Sequence, residues 1–280
     1  MDWRHKKVFH TTPLPASMWP ELNKAQGKIE GYNFDDYKDA RIAIIGAGAL
    51  GSHMANALIR QGPREIILVD DDHVEASNLT RQLFTAEDIG NNKAICLARR
   101  LSREGFFPTK LTAWPFRFME LVERGDMVQP DILVAAVDNN STRRAACLYG
   151  LAHAIRGVVH VAVGRDGNAI SVMVQEPGKA CWACAYPDSL NDFSHPCNLP
   201  GIVDVSQCAA GVGVFAIGSL LSGRHREWTK RLIYLDAGAP DQGEIIERRP
   251  DCALCGPGAT AARASEPVAQ PQSWWSRRSA

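Results

Sequence analysis

The segment from Arg41 to Arg81, RIAIIGAGALGSHMANALIRQGPREIILVDDDHVEASNLTR, admits few folds. Ile42 to Ile45 is a short apolar, β-branched run that suits a strand buried on both faces. It ends on Gly46, and Gly46, Gly48 and Gly51 spell G-x-G-x-x-G before an amphipathic run, Leu50 to Gln61, that reads as a helix. A second apolar strand, Ile66 to Val69, ends in Asp70, about 20 residues beyond the glycines. This is the order of a nucleotide-binding βαβ unit. The glycines let backbone N–H groups approach a phosphate at a helix N-terminus, and the acid accepts from ribose hydroxyls. Glycine spacing alone does not select the nucleotide.

Downstream, Lys93 to Glu104 reads as a helix and Lys110 to Trp114 as a strand. Between them and Asp70 lies the polar loop DDHVEASN, whose Ser77-Asn78 predicts the cap of a short helix carrying Leu79 to Phe84. Ile132 to Val137 is an apolar strand ending in Asp138-Asn139, and a helix runs from Ser141 to about Ala154. Val158 to Val163 and Ala169 to Val174 read as strands across the turn GRDGN. This alternation predicts an α/β fold: a doubly wound, Rossmann-like, mostly parallel sheet with helices on both faces. Antiparallel strands should extend it, with Leu232–Leu235 and Glu244–Arg248 joined through Gly238, Pro240 and Gly243 as a hairpin. Three units follow. Residues 1–39, with Pro13, Pro15 and Pro20, form an N-terminal extension with one short helix near Trp19 to Gln26. Residues 40–256 form the core. Residues 257–280, rich in Ala, Pro, Ser and Arg, read as a disordered tail.

Lys+Arg and Asp+Glu both number 31 in the 280 residues, so the formal net charge is zero. That argues against a broad nucleic-acid surface and leaves partner recognition to local patches. Met1 to Lys7 is no charged-then-apolar leader, and the longest apolar run, Val212 to Leu221, is about half of a membrane span. The expectation is a cytoplasmic protein without a membrane partner. In that compartment eight cysteines suggest metal binding or catalysis more than disulfides.

Several polar groups stand at strand ends or helix starts around the glycines. Asp70 and Asp72 follow the second strand, Asn78 and Arg81 sit one helical turn apart, Lys93 opens a helix, and Asp138 ends a later strand. Ligands of open α/β sheets bind at the carboxyl ends of strands, so these groups are expected to converge. Two cations would neutralise a triphosphate, and a carboxylate such as Asp138 would hold Mg²⁺. A nicotinamide enzyme needs no such cluster. The plain alternative for Arg81 and Lys93 is surface ion pairing.

Cys181-x-x-Cys184 and Cys252-x-x-Cys255 are two paired-thiol knuckles, each matching half of a tetrahedral Zn²⁺ site. Cys184 and Cys252 stand 68 positions apart, so spacing leaves the pairing open and a redox dithiol remains the alternative to structural zinc. Cys96 and Cys147 lie in apolar helical settings and read as core residues. Cys208 precedes Ala-Ala-Gly and an apolar helix to about Leu221. A thiol at a helix N-terminus has its thiolate stabilised, so Cys208 is a candidate nucleophile. Cys197 lies in a Pro- and Asn-rich loop. The histidines show no ligand spacing and read as structural or surface residues.

In order and surroundings these motifs resemble the ThiF/MoeB/HesA family, bacterial relatives of ubiquitin-activating enzymes, over roughly Tyr37 to Gly256. The resemblance rests on the GAGALG loop, on LVDDDHVEASNLTRQ against the family's D-x-D-x-V-x-x-S-N-L-x-R-Q, on DIGNNKA, on Val137-Asp138-Asn139, and on CWAC and DCALCG. It implies Mg-ATP-dependent adenylation of the C-terminal carboxylate of a small ubiquitin-like or sulfur-carrier protein ending in Gly-Gly, with release of pyrophosphate. Carried over, Asp70 would hold the ribose, with Gly48 and Ala49 backing the nucleotide. Asn78, Arg81 and Lys93 would grip the phosphates, Asp138 would bind Mg²⁺, and Cys181, Cys184, Cys252 and Cys255 would ligate zinc. In members that form a thioester the cysteine lies between the knuckles, where Cys208 fits best. A homodimer and a conjugating enzyme are the further partners this implies. The family's N-terminal helix often carries R-Y-x-R-Q, whereas Tyr32 to Tyr37 reads YNFDDY and contains no arginine. A peptide or tRNA acceptor is the alternative within adenylation. An NAD-dependent oxidoreductase with structural zinc is the alternative of another class.

Overall fold

The computed structural model describes residues 5–24, 26–153, 155–164, 167–190, 202–236 and 241–259. Strand β1 (Lys7–His10) comes first, and the short helix α1 (Trp19–Asn23) falls where the sequence places one. Then β2 (Arg41–Ile45), α2 (Ala49–Ile59) and β3 (Glu65–Val69) form the predicted βαβ unit. α3 (Lys93–Glu104), β4 (Lys110–Trp114), α4 (Phe118–Glu123), β5 (Ile132–Ala135), α5 (Asn140–His153) and β6 (Gly157–Val163) continue the alternation. β7 (Ala169–Gln175), α6 (Trp182–Ala185), α7 (Val203–Ser222), β8 (Lys230–Tyr234) and β9 (Gln242–Glu244) complete the described elements.

All nine strands join one sheet in the order β1-β4-β3-β2-β5-β6-β7-β8-β9. β4, β3, β2, β5 and β6 are parallel, and β7, β8 and β9 extend them antiparallel, as expected of the mixed α/β sheet. The parallel strands are buried on both faces because each supplies side chains alternately to two cores. Ile42, Ile44, Ile66 and Leu68 face one core with Met54 and Leu58 of α2, Leu97 of α3 and Ile217 of α7. Ala43, Ile45, Ile67 and Val69 face the other with Phe118 and Leu121 of α4 and Tyr149 of α5. Each fully buried Ile or Leu contributes roughly 1.5–3 kcal/mol. At the amino ends, the buried Glu65 carboxylate accepts from Thr112 Oγ1 (2.6 Å) and pairs with Lys110 (2.9 Å) and Arg41 (3.6 Å), tying β2, β3 and β4 together.

Four features depart from the sequence reading. Residues of the N-terminal extension enter the sheet, where Lys7↔Ala113 and His10↔Lys110 pair β1 antiparallel with β4. The helix expected over Leu79–Phe84 is absent. Instead a single turn, Ala76–Asn78, is closed by Asn78 Oδ1 accepting from the Glu75 N–H at 3.0 Å. The last strand is Gln242–Glu244, so Gly243 lies within the ladder, and the chain leaves the sheet when the Ile246 N–H turns to Thr229 Oγ1 at 2.6 Å. Finally, α7 begins at Val203 and runs for 20 residues, long and apolar enough to cross a membrane by length and composition. Its Val205, Ala209, Ala216 and Ile217 are buried in the core against α2 and the sheet, as in the core helix of a globular domain. The tail beyond residue 259, with Gly238 and Pro240, lies outside the described residues.

The turn from β2 into α2 is closed by backbone contact. A Cβ at Gly51 would lie 1.8 Å from the carbonyl oxygen of Gly46. Gly51→Ala should therefore lower unfolding stability by about 3 kcal/mol. Gly211→Ala in α7, whose Cβ meets nothing within 4 Å, should raise it by about 0.5–1 kcal/mol. Urea unfolding followed by circular dichroism measures both.

Candidate active site

From β2 the chain builds outward through β3 and β4, then returns to lay β5 on the other side of β2. Such a switch point opens a crevice at the carboxyl ends of the two strands, and the glycine loop fills one wall of it. Gly46 leaves β2 at φ 91°, and a Cβ there would strike the Ala136 carbonyl oxygen at 2.6 Å, so the exit from β5 runs against the loop. Gly48 is the N-cap of α2 and Ala49 its first residue, which turns the free N–H groups of the helix toward the crevice.

Asp70 is bound into this loop. Its Oδ2 accepts the Ala47 N–H at 2.6 Å and its Oδ1 the Asp72 N–H at 2.8 Å. Burial pushes its carboxyl up to about 6. The Lys93 ammonium opposes that shift, the neighbouring Asp72 carboxylate adds to it, and the two N–H donors oppose it. Asn92 caps α3 and donates to the Asp70 and Asp72 carbonyls at 2.8 and 3.1 Å, pinning the start of α3 to the end of β3. Lys93 is thereby delivered to Asp72, with Nζ 3.0 Å from Oδ2. The ion pair expected as the plain alternative thus forms, between a lysine whose side chain is 11% exposed and an acid that lies on the surface.

The loop after β3 brings a second cation. His53 Nε2 lies 3.2 Å from the Arg81 carbonyl oxygen, and the Leu83 N–H reaches Ser52 Oγ at 3.4 Å, so residues 81–83 pack along the start of α2. The Arg81 guanidinium donates to the Ser77 carbonyl at 2.8 Å and has no carboxylate partner among the described residues. Asn78 is buried, and its Oδ1 is committed to the turn at Glu75, so it shapes the loop that carries Arg81. Asp138 is exposed beyond β5. Asn139 caps α5, accepting from the Thr142 N–H and Ser141 Oγ, each at 2.8 Å, while its Nδ2 lies 3.4 Å from Asp138 Oδ1. The structure thus joins Asp70, Asp72 and Lys93 beside the glycine loop, packs residues 81–83 along the start of α2, and sets Asp138 after β5.

Two residues to which the sequence reading gave no role belong here. Gln82 is buried with its Nε2 3.9 Å from where a Gly48 Cβ would stand. Arg143, 8% exposed on α5, donates to the carbonyls of Ala135 (3.2 Å), Val161 (2.8 Å) and Val137. It clamps the chain leading into Asp138. The signals were an amide directly after Arg81 and a cation one turn into the helix that follows Asp138.

The pairing left open by cysteine spacing is resolved by proximity. Sulfur separations are 3.9 Å for Cys181–Cys184, 3.6 Å for Cys181–Cys252 and 3.5 Å for Cys184–Cys255. A tetrahedron with Zn–S bonds of about 2.3 Å has edges of about 3.8 Å. All four thiols are buried, and the Arg249 N–H points to Cys184 Sγ at 3.4 Å. Burial raises the Cys252 thiol, but the N–H groups of Leu254 and Cys255 and the neighbouring thiols outweigh it and bring it down to about 7. Four convergent donors, one poised to ionise, suit a tetrahedral soft metal ion better than a two-thiol redox pair. Cys147 packs beside this cluster, and Cys96 is buried in the core.

Cys208 is placed differently from expectation. With Ile202 as N-cap, Val203 and the buried Val205 extend α7 upstream, so Cys208 stands exposed in the second turn and not at the helix start. The argument from free N–H groups and the helix dipole therefore does not apply to it. Cys197 lies outside the described residues.

The ThiF family profile matches residues 23–253. The chain is 27% identical over 244 residues to the ATP-dependent ubiquitin transferase-like protein Cap2 of Escherichia coli (strain TW11681), covering 78% of this chain and 41% of Cap2. It is 31% identical over 166 residues to the sulfur carrier protein ThiS adenylyltransferase of Escherichia coli K12, covering 59% and 65%. A sulfur carrier protein adenylyltransferase of Thermus thermophilus is 29% identical over 234 residues, covering 78% and 83%. The chain therefore spans less than two thirds of the first two relatives. Among solved structures, Escherichia coli MccB with succinimide superposes at a TM-score of 0.67, with 20% identity over 80% of this chain and 68% of MccB, and shares its fold.

Because the Asp70 carboxyl is raised from 3.8 to about 6, only the folded chain holds its proton between those values. From this group the ligand-free chain gains stability as pH falls from 7 toward 4, which thermal unfolding of wild type against Asp70→Asn should show. Affinity for a ribose that needs the carboxylate as acceptor falls through the same interval. Calorimetry with adenosine, which does not titrate there, reads that loss.

Proposed function

The chain belongs to the ThiF family, and from that premise we propose that it uses Mg-ATP to adenylate the C-terminal carboxylate of a small ubiquitin-like or sulfur-carrier protein ending in Gly-Gly. One observation supports this above the rest. The glycine loop, Asp70 and Lys93 sit together at the carboxyl ends of β2 and β3, and the segment that carries Arg81 packs along the start of α2. The names of the Escherichia coli and Thermus thermophilus relatives point to the same chemistry. A nicotinamide enzyme would use the glycines and Asp70 but has no need of Arg81 or Lys93.

A carboxylate is a poor electrophile, and adenylation supplies the leaving group it lacks. One oxygen of the carrier's terminal carboxylate attacks the α-phosphorus. The bond to the bridging oxygen breaks, and pyrophosphate departs with that electron pair. In this reading the N–H groups of Gly48 and Ala49 hold phosphate oxygens and Asp70 accepts from the ribose. Arg81 and Lys93 take up charge developing between the α- and β-phosphates, and Asn78 keeps Arg81 in place. Lys93 is released from Asp72 as phosphate replaces that carboxylate. Asp138, with Asn139 beside it, offers a ligand for Mg²⁺, whose charge would add to that of the two side chains.

A second step passes the acyl group to a thiol, with AMP leaving. Cys208 is the exposed candidate. Gly213 of α7 packs on Met54 and Val161, and Cys208 lies five residues back, about 7.5 Å along the axis toward the end of the helix away from Arg224. The four cysteines bind Zn²⁺ as a structural staple of the antiparallel extension. A second copy of this chain and a conjugating enzyme complete the proposed partners, and the cytoplasm is the proposed compartment. A peptide acceptor is the second reading, favoured by the shared fold with MccB, which has been solved with MccA.

The test is ATP–pyrophosphate exchange. It should require a carrier with an intact C-terminal Gly-Gly and fall at least about 100-fold in Arg81→Ala and Asp138→Ala. Tight ATP binding without exchange, with any such carrier, overturns the assignment. Elemental analysis should find one zinc per chain. Cys252→Ser with Cys255→Ser should lose it and lower Tm by roughly 10 °C.

A further inference from the structure

At the opposite edge of the sheet from the glycine loop lies a cleft of about 460 Å³. Arg156 immediately precedes β6, and Glu176 follows β7, whose Gln175 pairs with Val158, so both stand at the amino ends of the parallel strands. β6 separates this edge from the nucleotide edge by on the order of 20 Å. Arg156, Lys179, Arg224, His225 and Arg226 line the cleft against a single carboxylate, Glu176. In a chain of zero net charge that is a strong local excess.

The cations are positioned before any ligand arrives. Glu176 is already taken by Arg226 at 2.5 Å and Lys179 at 3.0 Å. Arg226, 8% exposed at its side chain, is braced by Ser219 Oγ at 2.9 Å and lies over the Trp228 ring. Arg224 stacks on Phe215 at 4.6 Å, which fixes its guanidinium without neutralising it. His225 pairs with Glu227 at 2.8 Å outside this group. The Arg156 and Arg224 charges remain uncompensated by carboxylates among the described residues.

A second cleft of about 320 Å³ shares Glu176, Lys179 and Arg226 as its wall and continues past Trp228, Ile245 and Ile246 toward Arg248, with Glu227 and Glu247 also on its lining. Ile245 is 67% exposed on its rim, an apolar side chain with no core to serve. A basic compartment that opens onto a charge-balanced one bearing the exposed Ile245 matches an extended peptide whose acidic residues enter the first and whose apolar residue meets Ile245 in the second. A free phosphate would use only the first compartment. The chain's own remainder, with Arg263, Arg277 and Arg278 against Glu266, has the wrong sign to fill it.

We propose that this groove docks an acidic, apolar-anchored linear segment of a partner protein. The full chain is titrated into a fluorescein-labelled octapeptide of six glutamates and two leucines, read by anisotropy. Binding at low salt should weaken about tenfold in Arg156→Glu/Lys179→Glu and on raising NaCl. It should weaken again when serines replace the leucines, and saturating Mg-ATP should leave it unchanged. Both substituted side chains are exposed. If circular dichroism nevertheless finds the double variant unfolded, Lys179→Gln and Arg224→Ala carry the same test singly. Absence of binding, indifference to the charge reversals, displacement by Mg-ATP, or equal competition by tripolyphosphate each overturns the proposal. So does loss of peptide binding as a second copy of the chain associates. Because ATP–pyrophosphate exchange does not enter this readout, the adenylation reading and the docking reading fail separately.

Discussion

The tightest constraint in the molecule is the meeting of two backbones, where the Gly46 carbonyl occupies the space that any side chain at Gly51 would need. That contact sets the angle at which α2 leaves β2 and so decides where the free N–H groups of the helix point. Because Gly46 also abuts the Ala136 carbonyl, the same turn fixes the distance between the loop and the chain leading to Asp138. A close backbone turn therefore sets both walls of the crevice, and every charged group in it is placed relative to that turn. Rigid strands buried on both faces hold the frame, and polar contacts such as those of Asn92 and Arg143 then fix the loops that leave it.

Around the turn, opposite charges are balanced in a way that leaves each of them usable. Asp70 engages two backbone N–H groups yet still has lone pairs free, and its burial beside Asp72 raises its carboxyl, a shift that a nearby cation opposes. Lys93 serves as that cation and also holds Asp72, so removing Lys93 from Asp72 frees a cation and a carboxylate together. Arg81 is tethered only through a carbonyl, a bond that costs little to exchange for a charged acceptor. The result is a set of groups held in the ligand-free state by one ion pair and by backbone N–H and carbonyl groups, and transferable to an anion.

How much of this could be read from the sequence depends on the range of the interaction. The βαβ unit, α3 and β4 were legible because local periodicity and end signals set them, and the meeting of Asp70, Asp72 and Lys93 was legible because a strand end and the following helix start stand side by side in such a sheet. The turn at Ala76–Asn78 was misread because Asn78 has two options of similar local appearance, to cap a following helix or to close its own turn, and its bond to the Glu75 N–H takes the second. β1 was invisible for a different reason: Lys7–His10 is an ordinary half-exposed tetrapeptide until β4 offers an edge. The start of α7 was placed too late because Val203 and Val205 carry no cap signal of their own. The place of Arg143 one turn into α5 was a signal, but its role was not, since it consists of carbonyls from β5, from the chain just after it and from β6 that only folding brings together.

α7 connects the two edges of the sheet. It packs across α2, β6 and β7, with Cys208 near its start and Arg224 just past Gly223, its left-handed C-cap. A helix so apolar would be a liability if it were free. Here its buried stripe is consumed by the core, while its two ends present a thiol at one edge and an arginine at the other. The antiparallel strands and the four-cysteine cluster lie beside the second end, where backbone pairing thins to the three-residue strand β9. A short edge strand buries too little to hold itself in register, so a tetrahedral sulfur cluster linking residues 71 positions apart is what keeps that border fixed. The groove lined by Arg226 and Trp228 borders the cysteine cluster through Arg248, so its shape depends on how that border is held, although no cysteine lines either cleft among the described residues.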